Sequence, residues 1–171
     1  KRQDNDGSLV DFFNAIQLAQ TKNILVVCSA GNRNENLSSD PTITSQWKGK
    51  LDNIVVVGAH DNNGEKCSFS SFGESVDLFA PGDSIFVAFP RTKNIQKLKH
   101  LQDREFSYNK GTSLSTAIVS SAVALIRSVY PNMHYRLIKR MLFNSSKRNR
   151  RGLCIKILDI GKTMKNINKF C

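Results

Sequence analysis

The sequence has few cysteines, and their spacing excludes a thiolate metal site. They occupy four distant positions without a C-x-x-C pair: Cys28, Cys67, Cys154 and Cys171. Cys28 lies in an apolar run, where we expect a small buried thiol. Disulfide connectivity does not follow from such spacing. Long apolar runs are also absent: without about 18 consecutive apolar residues, no segment is predicted to cross a membrane.

The chain also lacks an initiating methionine and an apolar signal core, since it opens Lys1-Arg2-Gln3-Asp4. We therefore expect a fragment or a processed product of a longer protein. Its 171 residues fit one domain, and a hydrophobic content of 40% is enough for a core. No internal repeat or low-complexity tract interrupts it.

Basic charge is concentrated at the carboxyl-terminal end. Of a net charge of +11, residues 136–171 carry +10, from eleven Lys or Arg and the single acidic residue Asp159. This end is either a surface for nucleic acid or an acidic membrane, or a solvated helix face with a flexible basic turn at 147–151. We predict the second and no nucleic-acid partner, because neither interleaved aromatic residues nor a nucleic-acid motif accompanies the charge.

Apolar strands alternate with amphipathic helices, which predicts an α/β fold with a mostly parallel central sheet. The predicted strands are 24–29, 54–59, 85–89 and 155–160. The predicted helices are 9–19, one beginning near Ser113, 134–143 and 162–168. Residues 91–105 are charged, and we expect them to form a surface insertion.

The segment 108–117 is a polar, glycine-containing turn that leads directly into an apolar helical pattern. It places Ser113 at or just before the first turn of a buried helix, where backbone N–H groups and the positive end of the helix dipole can stabilise an oxyanion. Ser113 is then a candidate nucleophile. The alternative is that Thr112 or Ser113 merely caps the helix, as serines before helices commonly do.

The segment 24–32 has the pattern of a buried parallel strand that ends in small residues and Asn32. The carboxyl edge of an open α/β sheet is where ligands bind. An Asn at this edge can direct its side-chain N–H groups at a substrate oxygen. The alternative is an ordinary Gly-Asn turn.

Four motifs in this order resemble the carboxyl-terminal half of the subtilases, the subtilisin-like serine proteases. They are Ala30-Gly31-Asn32, Ser68-Phe69-Ser70-Ser71-Phe72-Gly73, Ala80-Pro81-Gly82 and Gly111-Thr112-Ser113. The resemblance implies a three-layer sandwich that is incomplete at its N-terminal side, with residues 1–171 as the carboxyl-terminal part of one peptidase domain. It also implies that Ser113 is the nucleophile and Asn32 an oxyanion donor, with substrate-binding residues Ser29, Ala30, Gly31 and Thr112.

Two parts of the family pattern are missing. The Asp-Thr-Gly turn and His-Gly-Thr-His helix start of subtilases should precede Ser113, and neither is present. The remaining histidines, His60, His100 and His134, lack the context of a triad base. The proline that usually follows Gly-Thr-Ser in the family is replaced by Ala117.

Three functions stay open from the sequence. The first is a serine endopeptidase whose Asp and His lie upstream, so that the fragment alone is inactive. The others are a degenerate subtilase-fold binding module and a basic polyanion-binding domain. No cofactor is identifiable from the residues. By resemblance we expect protein or peptide substrates, a propeptide inhibitor, calcium as a stabilising ion and a secretory or extracellular location.

Overall fold

A computed structural model of the chain describes residues 8–39, 47–88, 106–149 and 153–167. In these ranges the helices are α1 (Ser8–Thr21), α2 (Thr112–Val129), α3 (Tyr135–Ser145) and α4 (Ile160–Lys165). The strands are β1 (Val26–Ser29), β2 (Ile54–His60), β3 (Leu78–Pro81), β4 (Ile85–Ala88), β5 (Phe106–Asn109), β6 (Lys147–Asn149) and β7 (Ile155–Ile157).

Five of the described strands form one sheet in the order β1-β2-β3-β7-β6. β1, β2, β3 and β7 run parallel, and β6 is antiparallel to β7. All seven residues of β2 are buried, as expected for a mainly apolar strand covered on both faces. The prediction of a mostly parallel α/β sheet is confirmed.

Helices cover both faces of this sheet and make it the middle of three layers. Alternate residues of a strand face opposite ways. Val57 packs with Val119 of α2 on one face, whereas Val56 packs with Ile16 of α1 on the other. α3 and α4 extend the first layer through a second cluster that includes Leu78, Ile126, Ile138, Met141 and Leu142. The predicted three-layer sandwich is therefore confirmed.

α2 is the central helix of the first face. It packs against β1, β2 and β3, and its buried residues recur at helical spacing: Thr112, Ser115, Val119, Ala122, Val123 and Ile126. Within the described ranges it is the one helix long and apolar enough to cross a membrane by length and composition alone. Its packing on the sheet explains that composition as a core helix. The absence of a membrane span stays a prediction.

β4 and β5 form a separate antiparallel pair beside the sheet, with Ile85 opposite Asn109 and Ala88 opposite Phe106. The sequence pattern did not predict β5. Tyr108 and Asn109, predicted as part of a turn, are instead the last two residues of this strand.

The predicted basic turn at 147–151 is wrong in its first three residues. Lys147–Asn149 form strand β6, and Asn149 Nδ2 donates a hydrogen bond of 2.5 Å to the carbonyl of Gly64. Residues 150 and 151 and the predicted insertion 91–105 lie outside the described ranges.

Candidate active site

The first turn of α2 presents Ser113 to solvent. Gly111 is the N-cap residue, and no side chain caps the helix, so the alternative that Thr112 or Ser113 is a capping residue is wrong. Ser113 is exposed, whereas Thr112 and Ser115 on either side are buried. Within the described part of the chain, no hydrogen bond ties the Ser113 hydroxyl to another residue. The hydroxyl can therefore reach a ligand at the positive end of the helix dipole.

Asn32 follows β1 and is fixed against α2 through its side-chain oxygen. Asn32 Oδ1 accepts hydrogen bonds from the backbone N–H and the hydroxyl of Thr112, each at 2.9 Å. A backbone N–H can only donate, so the atom facing it must be the amide oxygen. The remaining donor, Asn32 Nδ2, lies 3.5 Å from where a Cβ on Gly111 would stand. An exposed amide donor is thus held beside the start of α2.

Two glycines allow α2 to approach the end of β3. A Cβ on Gly82 would lie 2.3 Å from Ser115 Oγ. Gly111 has a φ of 149°, which favours glycine, and its N–H donates to the carbonyl of Gly82 at 2.8 Å. The buried Ser115 hydroxyl donates to the carbonyl oxygens of Ala80 and Pro81, at 3.0 and 3.1 Å. The start of α2 is therefore anchored at the carboxyl ends of both β1 and β3.

Sequence reasoning did not identify Gly82 and Ser115 as positioning residues. Gly82 belongs to the Ala-Pro-Gly motif, which was a signal of the family but not of this contact. Ser115 follows the nucleophile motif, and nothing in its neighbours along the chain indicates a bond to β3. Both roles follow only from the packing of α2 on the sheet.

Two of the predicted substrate-binding residues have almost no surface left for a ligand. Ala30 is 0% exposed and packs in the core with Ile16, and Thr112 is 1% exposed. Ala30 packs in the core and Thr112 positions Asn32, and the contact of either residue with a substrate stays a prediction. Ser29 and Gly31 are partly exposed at the end of β1, and their contact with a substrate stays a prediction.

The described histidines do not provide a base for Ser113. His60 ends β2 on the face that packs against α1, and its Nδ1 lies 2.7 Å from the carbonyl oxygen of Asp61. His134 caps α3, where its Nδ1 accepts from the N–H of Arg136. α3 follows the far end of α2, about 24 Å from Ser113 by the helix rise. His100 lies outside the described ranges.

No group of three or more His, Cys, Asp or Glu side chains that could hold a metal ion occurs in residues 8–39, 47–88, 106–149 and 153–167. The calcium implied by the family resemblance therefore stays a prediction. The positive end of the α2 dipole lies at the site, and the first turn of α2 has no acidic residue to offset it.

Comparison with known proteins identifies the family that has this arrangement. Residues 1–158 match the Subtilase family. Subtilisin DY from Bacillus licheniformis is 30% identical over 132 residues, which are 77% of this chain and 43% of that protein. An intracellular serine protease from Paenibacillus polymyxa is 30% identical over 151 residues, covering 81% of this chain and 42% of the relative. An extracellular protease from Xanthomonas campestris is 32% identical over 141 residues, covering 82% of this chain and 22% of the relative. The chain spans less than half the length of these curated relatives.

Solved structures share the fold. A lanthipeptide protease superposes with a TM-score of 0.72 and 18% identity, over 94% of this chain and 56% of the other. A cold-adapted subtilisin-like serine proteinase gives a TM-score of 0.66 and 25% identity, over 87% of this chain and 50% of the other. Both confirm the subtilisin-like architecture of the described sheet and helices.

Proposed function

The chain belongs to the subtilase family, and we propose that it is the carboxyl-terminal part of the catalytic domain of a serine endopeptidase. One observation supports this proposal above the others. Thr112 fixes the amide of Asn32 beside the exposed Ser113, at the first turn of α2. A hydroxyl, an amide donor and a helix start at one sheet edge are the parts that acyl transfer requires.

In the proposed reaction, Ser113 Oγ attacks the carbonyl carbon of a peptide bond while a base accepts the hydroxyl proton. The substrate oxygen becomes negative and accepts hydrogen bonds from Asn32 Nδ2 and the Ser113 N–H, at the positive end of α2. Collapse of this intermediate breaks the C–N bond, and the base returns the proton to the leaving amine. Water, activated by the same base, then releases the acyl group from Ser113.

We propose that this base is a His oriented by an Asp, both on a segment that precedes the present sequence in the full-length protein. The described histidines are engaged elsewhere, and the relatives are more than twice as long as the matched region. Without a base, the remaining oxyanion site gives only a small fraction of a triad's rate. We therefore expect no peptidase activity from the 171 residues alone.

β1 offers such a segment a place to pair. It is a terminal strand of the described sheet, and its four residues are only half-buried, whereas those of β2 are fully buried. Val26 and Ala30 donate hydrogen bonds of 2.8 Å towards β2, so the N–H of Val27 points to the open edge. An apolar strand with an open edge is a template for another strand.

Val27→Pro tests this pairing in the full-length protein, with Val27→Ala as the control for lost packing. Proline removes the N–H that an added strand would need, whereas a true edge strand tolerates it. We expect Val27→Pro to lower the free energy of unfolding by at least about 1 kcal/mol more than Val27→Ala. Equal free energies of unfolding for the two variants would contradict the pairing of β1 with an upstream strand.

The nucleophile is tested by incubating the full-length protein with a fluorophosphonate probe, which labels activated serines. We expect labelling of the wild type, none of Ser113→Ala, and wild-type labelling of Ser120→Ala. Ser120 is an exposed serine on the same helix and controls for nonspecific reaction. A folded wild type that is not labelled, or equal labelling of Ser113→Ala, would reject the assignment.

The second candidate function is a degenerate subtilase-fold module that binds peptides without cleaving them. The lack of a base within the described residues favours it, and the sequence alone adds the replacement of the family proline by Ala117. A full-length protein that folds and binds peptides but escapes the fluorophosphonate probe would support this candidate over the first.

The polyanion-binding candidate has less support from the charges. Arg136 Nε lies 2.5 Å from a carboxylate oxygen of Asp52, and Lys147 Nζ lies 2.9 Å from Asp159. Both cations belong to the basic end and are paired with acidic side chains. Asp159 is already included in the net charge of +10, and Asp52 offsets one further charge. Binding to a polyanion that weakens steeply with added salt would support this candidate, and a salt-insensitive result would reject it.

We also propose protein or peptide substrates, a propeptide inhibitor and a secretory or extracellular location for the full-length protein. The family resemblance supports these, but the relatives include both an extracellular and an intracellular protease. The coding sequence upstream of Lys1 tests the location and the base together. A secretion signal followed by an Asp turn and a His-Gly-Thr-His stretch is the expected result.

A further inference from the structure

The β4–β5 hairpin carries three exposed aromatic side chains on one face. Phe86, Phe106 and Tyr108, hereafter the aromatic strip, are 60%, 51% and 71% exposed. The ring centroids of Phe86 and Phe106 are 5.5 Å apart, and those of Phe86 and Tyr108 are 5.2 Å apart. Strand alternation turns Ile85 and Val87 to the opposite face, where they are less exposed. Adjacent aromatic side chains left exposed on a folded surface indicate an interaction site.

The hairpin begins and ends at the sheet edge where Ser113 lies. Gly82 follows β3, Gly111 precedes α2, and the Gly111 N–H donates to the Gly82 carbonyl at 2.8 Å. Tyr108 is separated from Ser113 by only four residues. Five extended residues span at most about 18 Å, so the aromatic strip begins within that distance of the proposed nucleophile.

The strand order determines which part of a substrate meets the aromatic strip. By the family resemblance we expect Ser29 and Gly31 to line the pocket for the side chain before the scissile bond. They lie at the end of β1, whereas the hairpin leaves β3, two strands further along the sheet. Neighbouring strands lie about 4.8 Å apart, so about 10 Å separates the two positions, the span of about three residues of extended peptide. A peptide whose acyl side lies at the end of β1 can therefore reach the hairpin with its leaving-group side.

We propose that the aromatic strip is a subsite for apolar side chains at the second to fourth residues after the scissile bond of a polypeptide substrate. This inference rests on the proposed function, because the reaction at Ser113 places the substrate. The ring of Phe86 already packs against the rings of both Phe106 and Tyr108. Aromatic side chains also lose little conformational entropy on binding, so an apolar side chain can bury their surface at low entropic cost.

Binding to the full-length Ser113→Ala variant tests the subsite without requiring catalysis. Two fluorescently labelled peptides differ only in Leu or Ser at the second to fourth positions after the expected bond. We expect the Leu peptide to bind about tenfold more tightly, as partial burial of apolar surface predicts. Adding Phe86→Ser or Tyr108→Ser should remove this preference, and Tyr108→Phe should retain it.

Val129→Ser is the matched control, because Val129 is 52% exposed but lies at the other end of α2. It should leave the preference for the Leu peptide unchanged. Equal affinity of the two peptides, or loss of the preference in Val129→Ser, would overturn the inference. The inference would also be overturned if Phe86→Ser converted a dimer to a monomer without changing the preference. The aromatic strip would then bind a second copy of the chain.

Activity separates a failure of this inference from a failure of the proposed function. An anilide substrate has no residues after the scissile bond, so Tyr108→Ser should cleave it with the wild-type kcat/KM and cleave the Leu peptide about tenfold more slowly. If Tyr108→Ser cleaves both substrates at the wild-type rate, the subsite is rejected and the peptidase stands. If the fluorophosphonate probe does not react with the wild type, the peptidase is rejected, and the binding preference alone decides the role of the aromatic strip.

Discussion

The contact between Gly82 and α2 allows a direct test of how Ser113 is positioned. In Gly82→Ala, the new Cβ would lie 2.3 Å from Ser115 Oγ and 2.5 Å from Ala59 Cβ. Ala59 Cβ is attached to the backbone of the buried strand β2 and cannot move independently. Ser115 Oγ is held by two carbonyl oxygens at the end of β3. The substitution must therefore push α2 away from the sheet.

The size of the effect follows from these contacts. Overpacking a well-packed core typically costs about 1–3 kcal/mol, and disrupting the hydrogen bonds of the buried Ser115 hydroxyl adds about 1 kcal/mol. We therefore expect Gly82→Ala to lower the free energy of unfolding of the full-length protein by about 2–4 kcal/mol. Because the Gly111 N–H bonds to the same glycine, we also expect slower fluorophosphonate labelling of Ser113.

Urea unfolding of the full-length protein measures this change, and Gly49→Ala is the matched control. No atom lies within 4 Å of a Cβ added at Gly49, so that substitution should be neutral or stabilising by up to about 1 kcal/mol. A Gly82→Ala protein that unfolds at the wild-type urea concentration would refute the close approach of α2 to β3 and the anchoring of Ser113 that we derive from it.

Three other predictions concern the oxyanion donor, acid stability and thiol reactivity. Asn32→Asp keeps an oxygen acceptor for Thr112 but removes the amide donor, so the full-length protein should unfold normally yet lose kcat. In subtilisin, the known example of this effect, removal of the oxyanion-hole asparagine lowers kcat by about 10²–10³-fold. Wild-type kcat in Asn32→Asp would contradict the donor role. A hydrogen bond from the backbone N–H of Lys162, and to a smaller extent one from the side chain of Lys147, hold the pKa of Asp159 below its ordinary value of 3.8. A carboxylate with a lowered pKa stabilises the fold above its ordinary pKa and loses that contribution as pH falls through the lowered value. As the pH falls from about 6 to about 3, the free energy of unfolding of Asp159→Asn, measured with urea, should therefore decrease less than that of the wild type. An equal decrease would contradict the link between protonation of Asp159 and stability. Burial, and then nearby carboxylates, raise the pKa of the Cys67 thiol to about 11. Iodoacetamide near pH 8 should therefore leave Cys67 unmodified, as read by peptide mass spectrometry, until urea unfolds the chain; rapid alkylation of the native protein would show that the thiol is accessible.

The main elements of the fold are predictable because their apolar patterns are unambiguous. The short apolar, β-branched run at 54–59 predicts a strand, and it forms the buried strand β2. Two short strands are not predictable in this way. Phe106–Asn109 alternates aromatic and polar residues over only four positions, and Lys147–Asn149 is basic and resembles a turn. Each becomes a strand because a partner, β4 or β7, supplies its hydrogen bonds.

The placement of Ser113 and Asn32 is predictable because each lies at the end of a strongly patterned element. The contacts that fix them are not. Ser115 and Gly82 meet only because α2 lies on the end of β3. Ala30, expected to contact a substrate, is buried in the core, and its N–H pairs with the carbonyl of Val57 in the register of β1 on β2. The register of β1 on β2 cannot be predicted from a single sequence.

The replacement of the family proline by Ala117 affects the proposed site less than the sequence alone suggests. Ala117 is exposed, and none of the anchors at the start of α2 involves it: they run through Asn32, Gly82 and Ser115 to the ends of β1 and β3. A proline at this position would remove the backbone N–H that an α-helix bonds to the carbonyl of Ser113, so alanine adds a helical hydrogen bond to the first turn. The orientation of Ser113 is therefore set by the sheet. The proposed peptidase activity then depends on the base that reaches its hydroxyl rather than on the residue at position 117.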